Sequence, residues 1–416
     1  MNQKIVCIES PDFMIHSLGK IAEQKGDQLF LLTSDKKRLK NANTFFVDVR
    51  SDFEAACDII KNQIGTPDAI ITSQEMFLTQ TASLAHEFNL LNESPEDITN
   101  FRDKSSMKQL WERKGVQTPY SQFYKSYNEI KEKLDKFNFP LVIKPSSGYA
   151  SCGVKKINTS SEMKEQIRKI FLLNSTVVAK ENMNNLGVLV EEYIDGEEFS
   201  IDTIWFEGEP ICSGILSKGY LPGPYFPDGL YKFEPLLSTE IQNKIKELSF
   251  NAVQAMGLRN GATHTEIRFK GNEPYVIETT CRPGAGGIFY DLFNKAIGIN
   301  FYEAYYNALV SKDKSYLTEI KKQSLLPLDT SKSYFWYNIP HKGQGVIKEI
   351  IGLDELHKRH EIESVLCYKK EGSTLYQDDL NTDYFCSVVG VLEDDSEFTM
   401  EELIQQYDRI LEVNYR

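Results

Sequence analysis

The sequence predicts a multidomain chain of mixed α/β and α+β class. The chain has 416 residues, of which 41% are hydrophobic, and this length is enough for about two to four domains with sizeable cores. Strand-like and helix-like segments alternate over the N-terminal region, as in a doubly wound parallel sheet. Farther along, pairs of strand-like segments surround short turns, which is typical of antiparallel sheets.

The N-terminal domain is predicted from four short apolar runs. Residues 15–25, which lie between the first two runs, are typical of a helix. The runs are KIVCIE at 4–9, QLFLLTS at 28–34, TFFVDV at 44–49 and DAIITS at 68–73. Many nucleotide-fold proteins begin with this alternation, and it predicts a parallel, doubly wound domain that ends near Pro95.

The remaining segments change from helix-like to strand-like. Residues 94–115 indicate a helix, the apolar run PLVIK precedes a loop of small residues, and two strands surround an Asp195-Gly196 turn. After residue 311, three strand-like segments precede a closing amphipathic helix in TMEELIQQYDRILEVNY. We therefore predict domains at 1–100, 101–187, 188–320 and 321–416.

Composition argues against several classes of protein. The 47 Lys and Arg residues and 60 Asp and Glu residues give a net charge of −13. The sequence has no cluster of basic residues that could neutralise the phosphate backbone of a nucleic acid, so we expect no nucleic-acid partner. No apolar run is as long as the about 18 residues that a membrane-spanning helix needs. The N-terminus also lacks a signal-peptide pattern, so we expect a cytoplasmic protein without a membrane partner. Seven scattered cysteines without a CxxC pair argue against a disulfide framework and a zinc site.

Two glutamates lie in the middle of apolar strand-like runs. A three-residue turn at 271–273 would place Glu266 opposite Glu278 and His264 opposite Thr280, whereas a two-residue turn would put the two carboxylates on opposite faces. Like charges about 5 Å apart destabilise a sheet unless a cation lies between them, and Mg²⁺ suits such carboxylates. The alternative is an exposed hairpin with both glutamates in water.

A cationic, glycine-rich stretch follows the second glutamate. Arg282 precedes Pro283 and the sequence GAGG at the start of a helix-like segment, where exposed glycine amides and a guanidinium would bind an anion. Upstream, Lys144 ends the strand PLVIK before the loop PSSGYASCGV, which suits nucleotide phosphates, although a solvated turn is the alternative. No GxxxxGK[ST] motif occurs, and no GxGxxG motif follows the first strand.

Taken together and in this order, the motifs resemble the ATP-grasp superfamily. The resemblance rests on Lys104 in FRDK, Lys144 before the small-residue loop, VEEYIDGEEFSID, and HTEIRF…YVIETTCRPGAGG. Within the superfamily they are most similar to the carboxylate-amine ligases that join amino acids, the L-amino acid ligases. The resemblance implies an ATP-grasp fold: a Rossmann-like pre-ATP-grasp domain, a lobe with a lid loop, a lobe with a metal site, and a C-terminal α/β subdomain.

The resemblance also implies roles for individual residues. Lys104 and Lys144 would hold ATP phosphates, with a lid loop at 146–153, and Glu198 would bind the ribose. Glu266 and Glu278 would bind Mg²⁺, with Mn²⁺ as an alternative, and Thr280 stands where the family usually has asparagine, which leaves a second metal ion open. Further ATP contacts are expected at Ser146, Ser147, Gly148, Ser151, Gly153, Glu191, Glu192, Tyr193 and Ile194. Catalysis is assigned to Arg282, Lys144 and Glu278, and substrate contacts to His264, Arg282, Gly284, Gly286 and Gly287.

The activity implied by the resemblance is amide formation, most simply a peptide bond between amino acids. ATP would phosphorylate a substrate carboxylate, and an amine would then attack the acyl phosphate, with release of ADP and phosphate. Two alternatives stay open: an ATP-grasp enzyme with another acceptor, such as a carboxylase or a purine-pathway-type ligase, and a non-catalytic nucleotide-binding module. The expected partners are small-molecule carboxylates and amines, and homodimer formation is left open.

The sequence does not define the substrate pair. Segment 217–235 is rich in aromatic residues, Gly and Pro, and its Tyr220, Tyr225 and Phe226 fit an acyl-side pocket or ordinary loop packing equally well. Cys152 and Cys281 lie near the motifs without a histidine nearby in sequence, which argues for structural thiols. His264 fits either a proton carrier or a structural histidine.

Overall fold

The fold is described from a computed structural model of the protein. The described residues are 2–39, 42–90, 93–148, 151–176, 186–221, 223–226, 228–234, 236–326, 328, 331–341, 343–375, 385–393 and 396–416. Within these ranges, no helix combines the length and the apolar character that crossing a membrane requires.

The N-terminal domain contains a parallel sheet with helices on both faces. Its strands are β1 (Lys4–Ile8), β2 (Gln28–Thr33), β3 (Thr44–Phe46) and β4 (Ala69–Ile71), and its helices are α1 (Asp12–Lys25), α2 (Phe53–Ile59) and α3 (Leu78–Glu87). The strand order is β3-β2-β1-β4, with every pairing parallel. Ile5 and Cys7 pack against α1, whereas Val6 and Ile8 pack with α2 and α3. The predicted doubly wound sheet is therefore confirmed.

A small antiparallel sheet follows two helices. These elements are α4 (Pro95–Arg102), α5 (Lys104–Lys114), β5 (Ser121–Tyr124), α6 (Tyr127–Ile130), β6 (Leu141–Pro145), β7 (Lys155–Ile157), α7 (Ser160–Thr176) and β8 (Val188–Glu192). The sheet order is β5-β8-β6-β7, and α7 packs on one face. The single helix expected at 94–115 is two helices, because Asp103 is extended and its carboxylate caps α5 at Ser105 and Ser106.

The largest sheet has eight antiparallel strands. Its strands are β9 (Glu197–Phe206), β10 (Glu209–Tyr220), β11 (Leu230–Phe233), β12 (Gly261–Lys270), β13 (Glu273–Thr280), β14 (Lys332–Ile339), β16 (Ile362–Cys367) and β18 (Cys386–Glu393). The order is β13-β12-β9-β10-β11-β14-β18-β16. Helices α8 (Thr239–Met256), α9 (Phe289–Ile297) and α10 (Phe301–Tyr306) pack on it, and α11 (Lys314–Gln323) contacts β10.

The C-terminal region combines strands of the large sheet with a second small sheet. The additional elements are β15 (Gly345–Ile351), α12 (Leu353–His357), β17 (Thr374–Leu375), α13 (Met400–Ile410) and β19 (Glu412–Tyr415). The small sheet has the order β17-β15-β19. The final stretch, expected to be helical throughout, is α13 followed by β19, because residues 412–415 pair with β15. The domain boundaries at 101–187, 188–320 and 321–416 stay predictions.

The two strands predicted around Asp195 and Gly196 do not pair with each other. Strand β8 belongs to the four-stranded sheet and β9 to the eight-stranded sheet, so the chain crosses between sheets here. A Cβ atom at Gly196 would lie 1.7 Å from the carbonyl oxygen of Phe269. Only glycine therefore fits at this crossing.

Gly196→Ala is expected to lower the free energy of unfolding by about 3 kcal/mol or more, because the methyl carbon overlaps a backbone oxygen that cannot move without distorting β12. Urea unfolding followed by fluorescence measures the effect. Gly19→Ala is the control, since Gly19 lies within α1 with no heavy atom within 4 Å of its Cβ position, and we expect no loss, or a gain of up to ~1 kcal/mol. A Gly196→Ala variant with the wild-type urea midpoint contradicts the argument.

Candidate active site

A cleft of about 500 Å³ is lined by the N-terminal domain and by both larger antiparallel sheets. It brings together most of the predicted site residues. These are Lys104, Lys144, Gly148, Ser151, Glu191, Glu192, Tyr193, Ile194, Glu198, His264, Glu266, Glu278, Arg282 and Gly286. The other predicted residues, which do not line it, are Ser146, Ser147, Gly153, Gly284 and Gly287.

The β12–β13 hairpin places Glu266 directly opposite Glu278, and His264 opposite Thr280, as predicted. The turn differs from the prediction. Lys270 pairs with Glu273, so the turn has two residues rather than three. A β-bulge restores the expected register, because the ladder pairs Glu266 with residue 278 and the next residue with 276. Residue 277 is the extra one, and both carboxylates border the cleft.

A buried lysine on β10 compensates the charge of the first glutamate. The Nζ atom of Lys218 lies 3.0 Å from Glu266, 2.6 Å from Glu198 and 3.2 Å from Asp228. Burial alone would lower the pKa of Lys218, but these carboxylates raise it well above its usual value. Burial raises the pKa of Glu266, and the Glu198 and Asp228 charges add to this rise against the opposing effect of Lys218.

A second buried lysine compensates the other glutamate. The Nζ atom of Lys104, the first residue of α5, lies 2.8 Å from Glu278 and donates to the carbonyl of Gly148 at 3.0 Å. Burial would lower the pKa of Lys104, but Glu278 and Glu75 raise it. The Lys104 N–H also donates to the Ser146 carbonyl. Lys104 therefore links the carboxylate pair to the beginning of the small-residue loop.

Lys144 is held by a carboxylate that a second lysine shares. The side chain of Glu191 lies 2.8 Å from Lys144 and 3.4 Å from Lys108, and all three are buried. Lys108 also donates to the Thr118 hydroxyl and the Val276 carbonyl. Burial lowers the pKa of Lys108 to about 7, against the opposing effect of Glu191. Glu191 thus acts through its side chain as a support for Lys144.

The crossing between the sheets forms one wall of the cleft. Tyr193 stacks on Phe226 with ring centroids 6.4 Å apart, and the guanidinium of Arg268 lies 4.7 Å from the Phe226 ring. Arg268 donates to the Ile194 carbonyl and to Glu198, at 3.2 and 2.6 Å. Phe226 therefore packs beside 191–194 rather than forming a separate acyl-side pocket.

Glu198 and Glu192 differ in their surroundings. The two oxygens of Glu198 are ion-paired, one with Lys218 and the other with Arg268. Burial would raise the pKa of Glu198, but these cations lower it. Each oxygen keeps a further acceptor site, so the carboxylate retains capacity for a ligand hydroxyl. Glu192 pairs with Lys270 at 2.7 Å, and both side chains are exposed.

The predicted lid loop begins in a buried region. The Ser146 hydroxyl accepts a hydrogen bond from the Gly187 N–H, and the Gly153 carbonyl accepts one from Gln166. The Ser147 hydroxyl is buried and has no hydrogen-bond partner among the described residues. The loop residues Tyr149 and Ala150 lie outside the described ranges.

Arg282 is held by the N-terminal domain. Its guanidinium donates to Glu75 through Nη2 at 2.8 Å and through Nε at 3.3 Å, and to the Pro283 carbonyl through Nη1. The other Glu75 oxygen lies 2.9 Å from Arg102. Burial would raise the pKa of Glu75, but the Arg282 and Arg102 charges outweigh it and lower the pKa to about 2.

A buried aspartate orders the residues after Arg282. Asp202 of β9 accepts from the Gly284 N–H at 2.6 Å and contacts His264 Nδ1 at 2.6 Å. A Cβ atom at Gly284 would lie 2.7 Å from both groups, so the position requires glycine. The amide of Gly284 is therefore engaged by a carboxylate, contrary to the expectation that it is exposed to bind an anion.

The last two glycines of this stretch are also buried, not exposed. A Cβ atom at Gly286 would lie 3.2 Å from Pro11, and one at Gly287 would lie 2.9 Å from the Met14 sulfur. Their φ angles of 69° and 107° also favour glycine. These residues allow the segment after β13 to approach α1 closely.

Sequence reasoning missed several charged residues in and around the site. Glu75 follows strand β4, and ligands bind outside the carboxyl ends of parallel strands, so this signal was present. Three others lie within a helix or a strand, and only the fold shows which groups their side chains contact. They are Lys108, Asp202 and Lys218.

The class of protein follows from this arrangement together with the sequence: the chain has an ATP-grasp fold. Residues 137–291 match the family model described as the ATP-grasp domain. The match contains Lys144, the sheet crossing and the β12–β13 hairpin, so the predicted resemblance is confirmed.

Several of the proteins that this chain resembles are named as amino-acid ligases. Alanine–anticapsin ligase of Bacillus subtilis strain 168 is 27% identical over 231 residues, which are 52% of this chain and 48% of that protein. The chain thus spans about half the length of this relative. The L-arginine-specific L-amino acid ligase of Bacillus subtilis is 24% identical over 334 residues, 78% of this chain and 76% of that protein. The crystal structure of L-amino acid ligase from Bacillus licheniformis superposes with a TM-score of 0.85 at 24% identity, covering 100% of this chain and 99% of that chain.

Glu75→Gln is expected to lower the free energy of unfolding at neutral pH by about 3 kcal/mol, because the buried Arg102 and the partly buried Arg282 lose their compensating charge. The pKa of Glu75 is lower in the folded state than its ordinary value of 4.5, so its contribution is present above that value and fades as the pH falls toward 2. In urea unfolding, the difference between wild type and variant should narrow on acidification. Glu240→Gln, which alters the exposed pair with Lys244, is the control and should change stability by less than about 0.5 kcal/mol. A wild-type–variant difference that does not depend on pH contradicts the assignment.

Proposed function

We propose that the protein is an ATP-dependent ligase that forms an amide, most simply a peptide bond, between the carboxylate of one amino acid and the amine of another. The observation that carries the proposal is the facing pair Glu266 and Glu278 in a cleft that also contains Lys104, Lys144 and Arg282. Phosphoryl transfer asks a protein chiefly for positioning and for neutralisation of phosphate charge. The cleft contains cationic side chains that would bind the phosphates. It also contains carboxylates that would bind a metal counter-ion.

The carboxylate pair fits a hard divalent cation. Its donors are oxygens, and two buried hydroxyls beside it, of Ser200 and Thr280, have no hydrogen-bond partner among the described residues. Ser200 pairs with Glu266 across the ladder, and Thr280 follows Glu278 by two residues on the same strand. Bound Mg²⁺, or Mn²⁺ in its place, would neutralise the phosphates and the charge that develops during transfer.

The residues assigned to ATP form two groups. Lys144, supported by Glu191, and Lys104 at the loop would contact the phosphates, with the Ser147 hydroxyl as an available donor. The crossing at 191–194 and the stacked rings of Tyr193 and Phe226 would border the adenine. Glu198 would accept from the ribose hydroxyls through its remaining acceptor sites.

The reaction would proceed in two steps. First, a carboxylate oxygen attacks the γ-phosphorus, the bond to the β–γ bridging oxygen breaks, and ADP leaves. The amine nitrogen then attacks the carbonyl carbon of the acyl phosphate, the carbon–oxygen bond to phosphate breaks, and phosphate leaves with a proton from the amine. Closure of the cleft would keep water from the acyl phosphate.

Arg282 is the residue best placed to stabilise charge on the acyl side. Three of its nitrogens are fixed by Glu75 and by the Pro283 carbonyl, and two of its five N–H donors have no partner within the described ranges. A guanidinium that is ordered before substrate binds needs no reorganisation when negative charge develops on the carbonyl oxygen. Glu75 would therefore position the arginine from the N-terminal domain. His264, oriented through Nδ1 by Asp202, would present Nε2 to the substrate.

The amino-acid side of the cleft favours apolar substrates. Tyr231, Phe289 and Trp336 form a cluster of rings with centroids 4.5 to 6.0 Å apart, and all three line the cleft. Phe13 and Ile288 extend this apolar surface. Such walls bind hydrocarbon side chains by excluding water.

Pairs of the twenty amino acids, incubated with the protein, ATP and Mg²⁺, are expected to yield ADP and phosphate in equal amounts and a dipeptide detectable by mass spectrometry. Pairs with apolar side chains should give the highest rates, because the ring cluster buries them. Two controls define the alternatives. Turnover with bicarbonate and no amine indicates a carboxylase, and ATP binding without turnover with any pair indicates a binding module.

Arg282→Ala should lower turnover by roughly 10²-fold or more while leaving ATP affinity within a few-fold, because the proposed contact is made mainly in the transition state. Lys144→Ala should weaken ATP binding as well, and Arg282→Lys should recover little, since it keeps the charge but not the fork. Melting temperature, ATP affinity and phosphate release are measured on one sample. If ATP affinity and melting temperature fall in step with activity, Arg282 is only a structural partner of Glu75.

A further inference from the structure

Two cysteines face each other at one edge of the eight-stranded sheet. Cys367 is the last residue of β16 and Cys386 the first of β18, and the two pair directly across the ladder. Their sulfur atoms are 3.2 Å apart. The Tyr368 N–H donates to the Phe385 carbonyl, so the neighbouring pair is the hydrogen-bonded one. Cys367 and Cys386 therefore form a non-hydrogen-bonded pair, in which Cα atoms approach to about 4.5 Å, within the range of disulfides.

The two thiols differ in reactivity. Cys367 is exposed and Cys386 is buried. The hydrogen bond between the two thiols lowers the pKa of Cys367 and, together with burial, raises the pKa of Cys386, so Cys367 is the thiol that forms a thiolate more readily. Burial raises the pKa of Cys7, Cys212 and Cys281 instead. An exposed thiolate beside a buried thiol is the arrangement of an attacking and a resolving cysteine.

We propose that Cys367 and Cys386 are a modification site at which a small-molecule disulfide oxidises the pair to an intramolecular disulfide. The Cys367 thiolate attacks one sulfur of the small disulfide, a mixed disulfide forms, and one small thiolate leaves. Cys386 then loses its proton to that thiolate and attacks the Cys367 sulfur, and the second small thiolate leaves. Two protein thiols are oxidised and one small disulfide is reduced to two thiols.

The site borders the amino-acid side of the cleft. Tyr368, next to Cys367, lines the cleft, and its hydroxyl lies 2.8 Å from that of Ser387, next to Cys386. A covalent bond between the strands would fix them beside this tyrosine. The oxidation itself does not depend on the proposed ligase activity, so the two proposals fail separately.

The test uses the full chain, reduced, freed of reductant and incubated with oxidised glutathione. After acid quenching and alkylation, peptide mapping should find a Cys367–Cys386 cross-link whose mass is lower than that of the two reduced peptides by two hydrogens. The cross-link should form before Cys7, Cys57 or Cys212 reacts, and dithiothreitol should reverse it. Cys386→Ser, with Cys386→Ala as a second variant in case the buried serine disturbs folding, should instead stop at a glutathione adduct on Cys367. Cys367→Ser should leave Cys386 unmodified.

Three results would overturn the proposal. One is a glutathione adduct on Cys367 that persists in the wild-type chain, since it would mean that Cys386 does not resolve it. Another is modification of Cys386 in Cys367→Ser at the wild-type rate. The last is a Cys367 thiol that reacts no faster than the buried Cys212, since it would mean that the exposed thiolate is absent.

Discussion

The need to compensate buried charge is the constraint on which the site depends. An isolated ion in a protein interior is too costly to persist, so each buried cation of the cleft has a carboxylate partner. Lys104 contacts Glu278, Lys218 contacts Glu266 and Glu198, and Arg282 contacts Glu75. The same groups are the ones suited to phosphates and a metal ion. The structure thus pairs these charges with each other, and under the proposed function the ligands would exchange one set of partners for another.

This pairing ties separate parts of the fold together. Glu75 belongs to the N-terminal domain, Lys104 to the helix after it, and Glu278 and Arg282 to the large sheet and the loop that follows. Asp202 adds a contact from the centre of the sheet to the loop at Gly284. The positions of the cleft side chains are therefore set by long-range contacts. In the loop after Arg282, the close approach of Asp202 and His264 requires glycine at Gly284, and the positive φ angles favour glycine at Gly286 and Gly287.

Much of this fold and part of the site could be predicted from the sequence. Alternating apolar runs predicted the parallel sheet, and the spacing of Glu266 and Glu278 predicted their facing arrangement. The right register came from a two-residue turn plus a bulge, and nothing local in the sequence distinguishes this from a three-residue turn. The crossing at Gly196 looked like a hairpin turn, because local sequence shows that two strands are close in the chain but not that they join different sheets. Lys218 was missed since a lysine in an apolar strand gives no sign of which carboxylates surround it.

The order of the eight-stranded sheet limits how the chain could be divided or recombined. Strand β14 hydrogen-bonds to β11, and β18 and β16 continue from it. Without the C-terminal segment, β11 would become an unprotected edge with free backbone donors and acceptors, a template for aggregation. The C-terminal segment is thus an integral part of the sheet that carries the carboxylate pair. It could not be exchanged between proteins as an independent module. A substitute from another protein would have to reproduce the pairing of Leu230 with Tyr337 and of Phe233 with Tyr334.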